Sequence, residues 1–409
     1  MPTAQEIAAG LHSKYPWVRE EWAERTDYTP TPKHIEKGMK DRSVRVREKW
    51  ARRKDFTPTP EQIERGLTDK EASVRQRWAE RTDWTPTREQ VERGLTDSSC
   101  DVRAAWVGRT DWTPTPSQVE RGLIDTAPEV REAWAQRMDF TPTPRQIQRG
   151  IMDSNHLVRE AWAKRTGFTP TPEQVEYGLT DGKLSVRAAW AKRTDYTPTS
   201  EQIERGLTDE VWSIRACWAK RKDYVPTPTQ IERGLTDTDI NVRLTWANRQ
   251  DITYTLDQLE RGLWDKFLEV QMAWIRRIDW TPTPEQIESG LQSHEWRIRE
   301  TWAQRMDFIP TPEQVERGLF DSSENVRLAW VKRMDFTPTP KQAARGLLDS
   351  REDVVLAWLE RDDIVWTDEQ IQIGLQSSDD TIRQAWEQAI RRRNVQSEEN
   401  FDSSMLHAL

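Results

Sequence analysis

Tryptophan stands at positions 22, 50, 78, 106 and onward to 386, and every step is 28 residues. Glycine keeps the same interval from Gly10 to Gly374. Fourteen such steps fill residues 1–392 without an insertion or a deletion, leaving a polar tail from Arg393 to Leu409. A fixed period of this size belongs to arrays in which each unit buries its apolar face only against its neighbours. That constraint precedes every functional question, because it decides which residues are building material.

Each unit reads as two short helices. In the unit beginning at Thr57, Thr59 suits an N-cap, Pro60 the first helical position, and Gln62 completes a T-x-x-Q capping box. Ile63 and Leu67 share a face, and Gly66 permits close approach of another helix. Asp69 can cap the second helix, on which Val74, Trp78 and Arg81 recur at helical spacing. Thr-Pro dipeptides separate one unit from the next, since proline cannot continue a helix. The Trp column, beside Val and Ala, belongs to the core. Arg65 and Asp69, four apart, are expected to pair within their unit. The unit from Thr253 has Tyr254 and Leu256 where others carry Pro, which predicts a weaker stop and start for its first helix.

The second half of each unit resembles the HEAT and leucine-rich-repeat-variant families of α-solenoids. The shared pattern is Asp69, Val74-Arg75 and Trp78-Ala79, or Asp181, Val186-Arg187 and Trp190-Ala191. The resemblance implies a hydrogen-bonded ladder of these Asp and Arg residues between successive repeats, with gaps where Gln271 and Val355 replace Arg. The expected fold is all-α: an elongated right-handed α-solenoid of fourteen 28-residue two-helix repeats over residues 1–392. The first and last repeats act as caps, the last marked by Glu387 and Ala389, and a mobile tail follows over 393–409. Both families mostly bind macromolecules.

Composition narrows the function classes. Hydrophobic residues make up 35% and charged residues 32%, with a mean hydropathy of -0.90; the 22 Trp residues weigh against the disorder such values would suggest. A net charge of -8 weighs against a general polyanion binder. Two cysteines, Cys100 and Cys217, give no disulfide framework and point to a reducing, cytoplasmic location. No apolar run is long enough for a membrane span, and no secretory signal opens the chain. The five His residues fall in different columns of the repeat, with no ligand spacing and no nucleotide or nucleophile motif. The chain reads as non-enzymatic, without metal or cofactor.

Function is then sought in columns that the architecture leaves free. Leu184, Trp212, Ile240, Leu268 and Trp296 occupy one position in repeats 7–11, numbering repeats by their Trp from Trp22. Four residues later stand Ala188, Ala216, Leu244 and Met272, then Glu300; Phe267 adjoins them. On a helical wheel both columns point away from Ile214 and Trp218. A broken basic column follows, with Lys164, Lys192, Lys220 and Arg276. An apolar strip beside cations predicts a protein or peptide partner. The alternative is a nucleic-acid binder reading one unit per repeat, which wants a more continuous basic row.

Overall fold

The computed structural model describes residues 2–392. Within them 27 helices run from Ala4–Leu11 to Asp368–Leu375, followed by a helical run over 380–392, and no strand occurs among the described residues. The helices alternate strictly as first and second helix of a repeat, which makes this a tandem helical-repeat protein. They group into two units that meet in sequence at Tyr224 and Val225. Repeats 1–8 form one unit and the later repeats the other. The expected tail lies outside the described residues.

Local chemistry explains the alternation. In the first helix Pro60–Leu67, Thr59 accepts from the Gln62 amide while Gln62 Oε1 accepts from the Thr59 amide at 3.0 Å, so two orphan donors are satisfied reciprocally. The same box opens every first helix, with Glu6 and His34 standing for Gln in the first two. The second helices start differently. Ala72–Ala79 has Glu71 at its N-cap with no side-chain bond; Asp69 instead accepts from the Glu71 amide at 2.9 Å, bracing the turn before the helix rather than capping it.

The two helices of a repeat meet at Gly and Trp. A Cβ built on Gly66 would overlap the Trp78 indole, and the same holds for every such pair from Gly10 and Trp22 to Gly374 and Trp386. Glycine therefore sits in a helix at some cost in propensity because only a bare Cα lets the indole lie flat on the first helix. From Trp50 to Trp386 the column is at most 2% exposed. Trp22, in the first repeat, is half-buried.

Three polar ladders bind repeat to repeat within each unit. Arg75 donates from Nε and Nη2 to the Asp97 carboxylate, both at 2.7 Å, and from Nη1 to the carbonyl of Asp69 in its own turn. The implied Asp–Arg ladder thus runs from each arginine to the next repeat's aspartate. Gln271 and Val355 interrupt it, and the aspartates that would have faced them are Ser293 and Ser377. The second ladder joins first helices. Glu64 accepts from Arg93 at 2.8 Å and from Gln90 at 3.4 Å in the following repeat. The expected pairing of Arg65 with Asp69 does not form; Asp69 belongs to Arg47 of the preceding repeat, at 2.7 Å.

The third ladder is buried. Arg81 reaches back to the Ala51 carbonyl at 3.0 Å and the Phe56 carbonyl at 3.3 Å, and binds Asp83 through Nε and Nη2. Its guanidinium lies 4.8 Å from the Phe56 ring and 5.0 Å from the Trp78 ring. A carboxylate, carbonyls and two ring faces together compensate the buried charge. In the unit from Thr253 the expected weakening is absent. Thr255 and Gln258 form the usual box, and Tyr254 turns inward to take the place left by Ile252, its ring 4.5 Å from the Arg277 guanidinium and 4.8 Å from the Trp274 ring.

Candidate functional site

The free columns lie on the second helices, and each unit carries its own part of them. In the first unit Leu184 and Trp212 begin the helices Leu184–Ala191 and Trp212–Ala219, which pack side by side. Both side chains are 43% exposed. Lys192 and Lys220 close the same helices eight residues later, about 12 Å along the axis. Their ammonium groups sit at helix C-termini, where cations are favoured, and neither forms an ion pair among the described residues. Lys164 differs: it binds Glu160 at 2.5 Å, and that bond holds the Glu160 carboxyl below its ordinary range. The exposed lysines therefore leave two positive charges beside two large apolar side chains.

Between them the surface departs from the helical-wheel expectation. Ala216 is buried and Ala188 half-buried. The wheel placed this column opposite the first helix, but it also lies at the seam where neighbouring second helices pack. A methyl group is covered there, whereas longer side chains extend out. Ala216 thus contributes a shallow floor rather than a contact ridge.

In the second unit the same columns are partly covered. Ile240, Leu244, Leu268, Met272 and Trp296 are half-buried, while Phe267 and Arg276 are exposed. Phe267 is the N-cap of Leu268–Ile275, with the Arg243 guanidinium 5.3 Å and the Lys266 ammonium 5.2 Å from its ring. Arg297 lies 5.4 Å from the Trp296 ring. These aromatic faces are already occupied by cations of their own unit. Other exposed apolar residues escaped the column reading. Trp264 caps the first helix Leu256–Leu263 and is 64% exposed. Ile278, Met306 and Met334 occupy the middle position of the R-x-D turn in three successive repeats, all largely exposed. Their signal was present as a column that holds Thr or Lys in most earlier repeats, with Met138 and Gln250 as exceptions.

Among the described residues no group of three His, Cys, Asp or Glu side chains is arranged to hold a metal ion, and no helix is long and apolar enough to cross a membrane. The two cysteines are free.

The chain matches no protein-family profile and no curated protein. Among solved structures it is similar to a leucine-rich repeat variant with a repetitive structural motif, at 22% identity and a TM-score of 0.43, over 59% of this chain and 88% of that one. It is also similar to the Cnd3–Cnd2 subcomplex of condensin from S. pombe, at 14% identity and a TM-score of 0.33, over 94% of this chain and 64% of that one.

Proposed function

We propose that this chain is a non-catalytic scaffold that binds an acidic protein or peptide segment on the outward face of its second helices. One patch lies in repeats 7 and 8, the other in repeats 9–11. The observation that carries the reading is the pairing of exposed Leu184 and Trp212 with Lys192 and Lys220, which have no carboxylate partner among the described residues. Large exposed apolar side chains anchor partners, and free cations beside them favour acidic residues. A soluble partner in the cytoplasm fits two free cysteines.

The test compares affinity capture by the wild type and by the Trp212→Ser/Trp296→Ser double variant, with and without nuclease. Loss of a nuclease-resistant protein partner in the variant, at unchanged melting temperature, is the expected result. Capture that survives the substitutions places the binding face elsewhere. A bound species that disappears with nuclease makes this a nucleic-acid binder instead.

A further inference from the structure

Repeat 6 breaks the buried ladder in one place. Thirteen repeats carry its arginine, and in twelve of them the residue two positions on is Asp; in repeat 6 it is Gly167. The neighbouring repeats show what is missing. Arg137 Nε donates to Asp139 Oδ1 at 2.9 Å, and Arg193 donates to Asp195 from Nε at 2.9 Å and from Nη2 at 2.5 Å. Arg165 keeps the remaining contacts: Nη1 bonds the Ala135 carbonyl at 2.9 Å and the Arg137 carbonyl, Nη2 bonds the Phe140 carbonyl at 2.7 Å, and the Phe140 ring lies 4.3 Å away. Its Nε meets no acceptor among the described residues, although the residue is only 3% exposed. Arginine remains protonated in such a place. A buried guanidinium thus presents the edge that elsewhere holds a carboxylate.

The surroundings leave room for one. Gly167 has a φ of 91°, a conformation none of the sister aspartates adopts and one that strains any side chain, and the space beside its Cα is open: a Cβ built there would meet nothing within 4 Å. It lines a groove of about 840 Å3 together with Lys164, Phe168, Lys192, Arg193 and Asp195, while Arg165 lines a smaller one of about 220 Å3 that shares Glu160 and Lys164 with it. Lys164 is bound to Glu160 and Arg193 to Asp195, whereas Lys192 is unpaired, so the charge left over is positive. Asp139, the nearest ladder carboxylate on the other side, is held by Arg137. The equivalent carboxylates are reachable from solvent: the side chains of Asp139 and Asp195 are 40% and 39% exposed.

We propose that repeat 6 binds a carboxylate supplied from outside the repeat, at the Nε and Nη2 edge of Arg165, in the place its sister repeats fill with their own aspartate. The planar fork of the guanidinium suits a planar carboxylate bidentately. The source is either a small free carboxylate or an acidic side chain on another polypeptide. This site does not depend on the Leu184 and Trp212 face.

Arginine Nε resonances of the full chain, followed by two-dimensional 1H–15N NMR, test this directly. The probes are sodium acetate, the blocked tripeptide acetyl-Ala-Glu-Ala-amide and its Gln counterpart, with sodium chloride matching ionic strength. One Nε resonance should shift saturably with acetate or with the Glu peptide in the wild type. Gly167→Asp should show that resonance already displaced and no longer responsive. Acetate acting alone identifies a small carboxylate ligand, and the Glu peptide acting alone identifies a side chain on a partner. If neither probe gives a saturable shift, no carboxylate site exists. Arg165 itself is left unaltered, because its carbonyl bonds hold adjacent repeats together.

Discussion

The indole of Trp190 rests on the backbone of Gly178, in the space a Cβ there would occupy. A flexible side chain could yield to an added methyl, but this indole is fully buried between helices. Gly178→Ala should therefore destabilise repeat 7 by about 1–3 kcal/mol through overpacking, reduced by the helix propensity of alanine of about 1 kcal/mol. Trp190→Ala should cost more, about 3–5 kcal/mol, by opening a cavity. Hydrogen exchange over residues 162–218 measures both. Unchanged protection in either variant would remove the column from the core.

The serines opposite the ladder gaps lead to a repair experiment. Gln271→Arg alone adds a guanidinium with no carboxylate to meet, and Ser293→Asp alone adds a carboxylate with no guanidinium. Together they should recreate the Arg299–Asp321 arrangement of the next step, where both side chains are largely buried. A double-mutant cycle in urea should give a favourable coupling of about 1 kcal/mol, as for members of one ion-pair network. Simple additivity of the two changes would show that the gap is not a matched loss.

Acid should attack the ladders in a defined window. Burial by itself raises Asp97, but the two bonds from Arg75 and one from the Ser99 amide outweigh it and hold the carboxyl below its ordinary 3.8. Asp125, Asp181 and Asp321 behave alike. Glu120 lies below 4.5, first through Gln146 and then through Arg149. Such groups bind protons more readily in the unfolded chain. Their contribution is whole above the ordinary values and is lost as pH falls through the lowered native ones. Urea midpoints should stay level from pH 7 to about 5 and decline below about 4.5. A decline beginning near pH 6.5 would implicate histidine instead.

Two tyrosines should titrate late. Burial raises Tyr196 and Tyr254 to about 12, ahead of the opposing influence of Arg221 and Arg277. In each the native state keeps a proton that the unfolded state loses near 10, so their contribution is present below that value and disappears as pH rises towards 12. Absorbance at the phenolate band should show Tyr196 and Tyr254 ionising only at about 12 or on unfolding. Tyr254→Phe should abolish one of these late steps. It should cost about 1 kcal/mol, because the hydroxyl donates to the Trp246 carbonyl.

The repeat itself was plain in the sequence because its period, glycine and tryptophan never slip. Capping boxes were equally legible, being local by nature. The pairings were harder. Arg65 and Asp69 invited a contact within one helix, yet partners 22 residues apart, such as Arg47 and Asp69, are as close in an array of this period. Comparing each aspartate with the arginine one repeat earlier would have exposed Ser293 and Ser377. Gly167 was visible as the single departure among the thirteen repeats that carry the arginine, but its meaning required Arg165 to be seen buried with an unmet Nε. Ala216 was misplaced because a wheel considers one helix, whereas its burial comes from a neighbouring repeat.

The Arg-to-Asp ladder always points the same way, from one repeat to the one that follows. In repeats 2–7 each block carries an aspartate facing backward and an arginine facing forward, so every junction is chemically interchangeable with the next. A tandem duplication of 28 residues within that stretch brings its own donor and acceptor for this ladder. The junctions at Ser293 and Ser377 follow another rule: a block exchanged across them would leave a lone guanidinium or a lone carboxylate, which fixes the order of the repeats at that end.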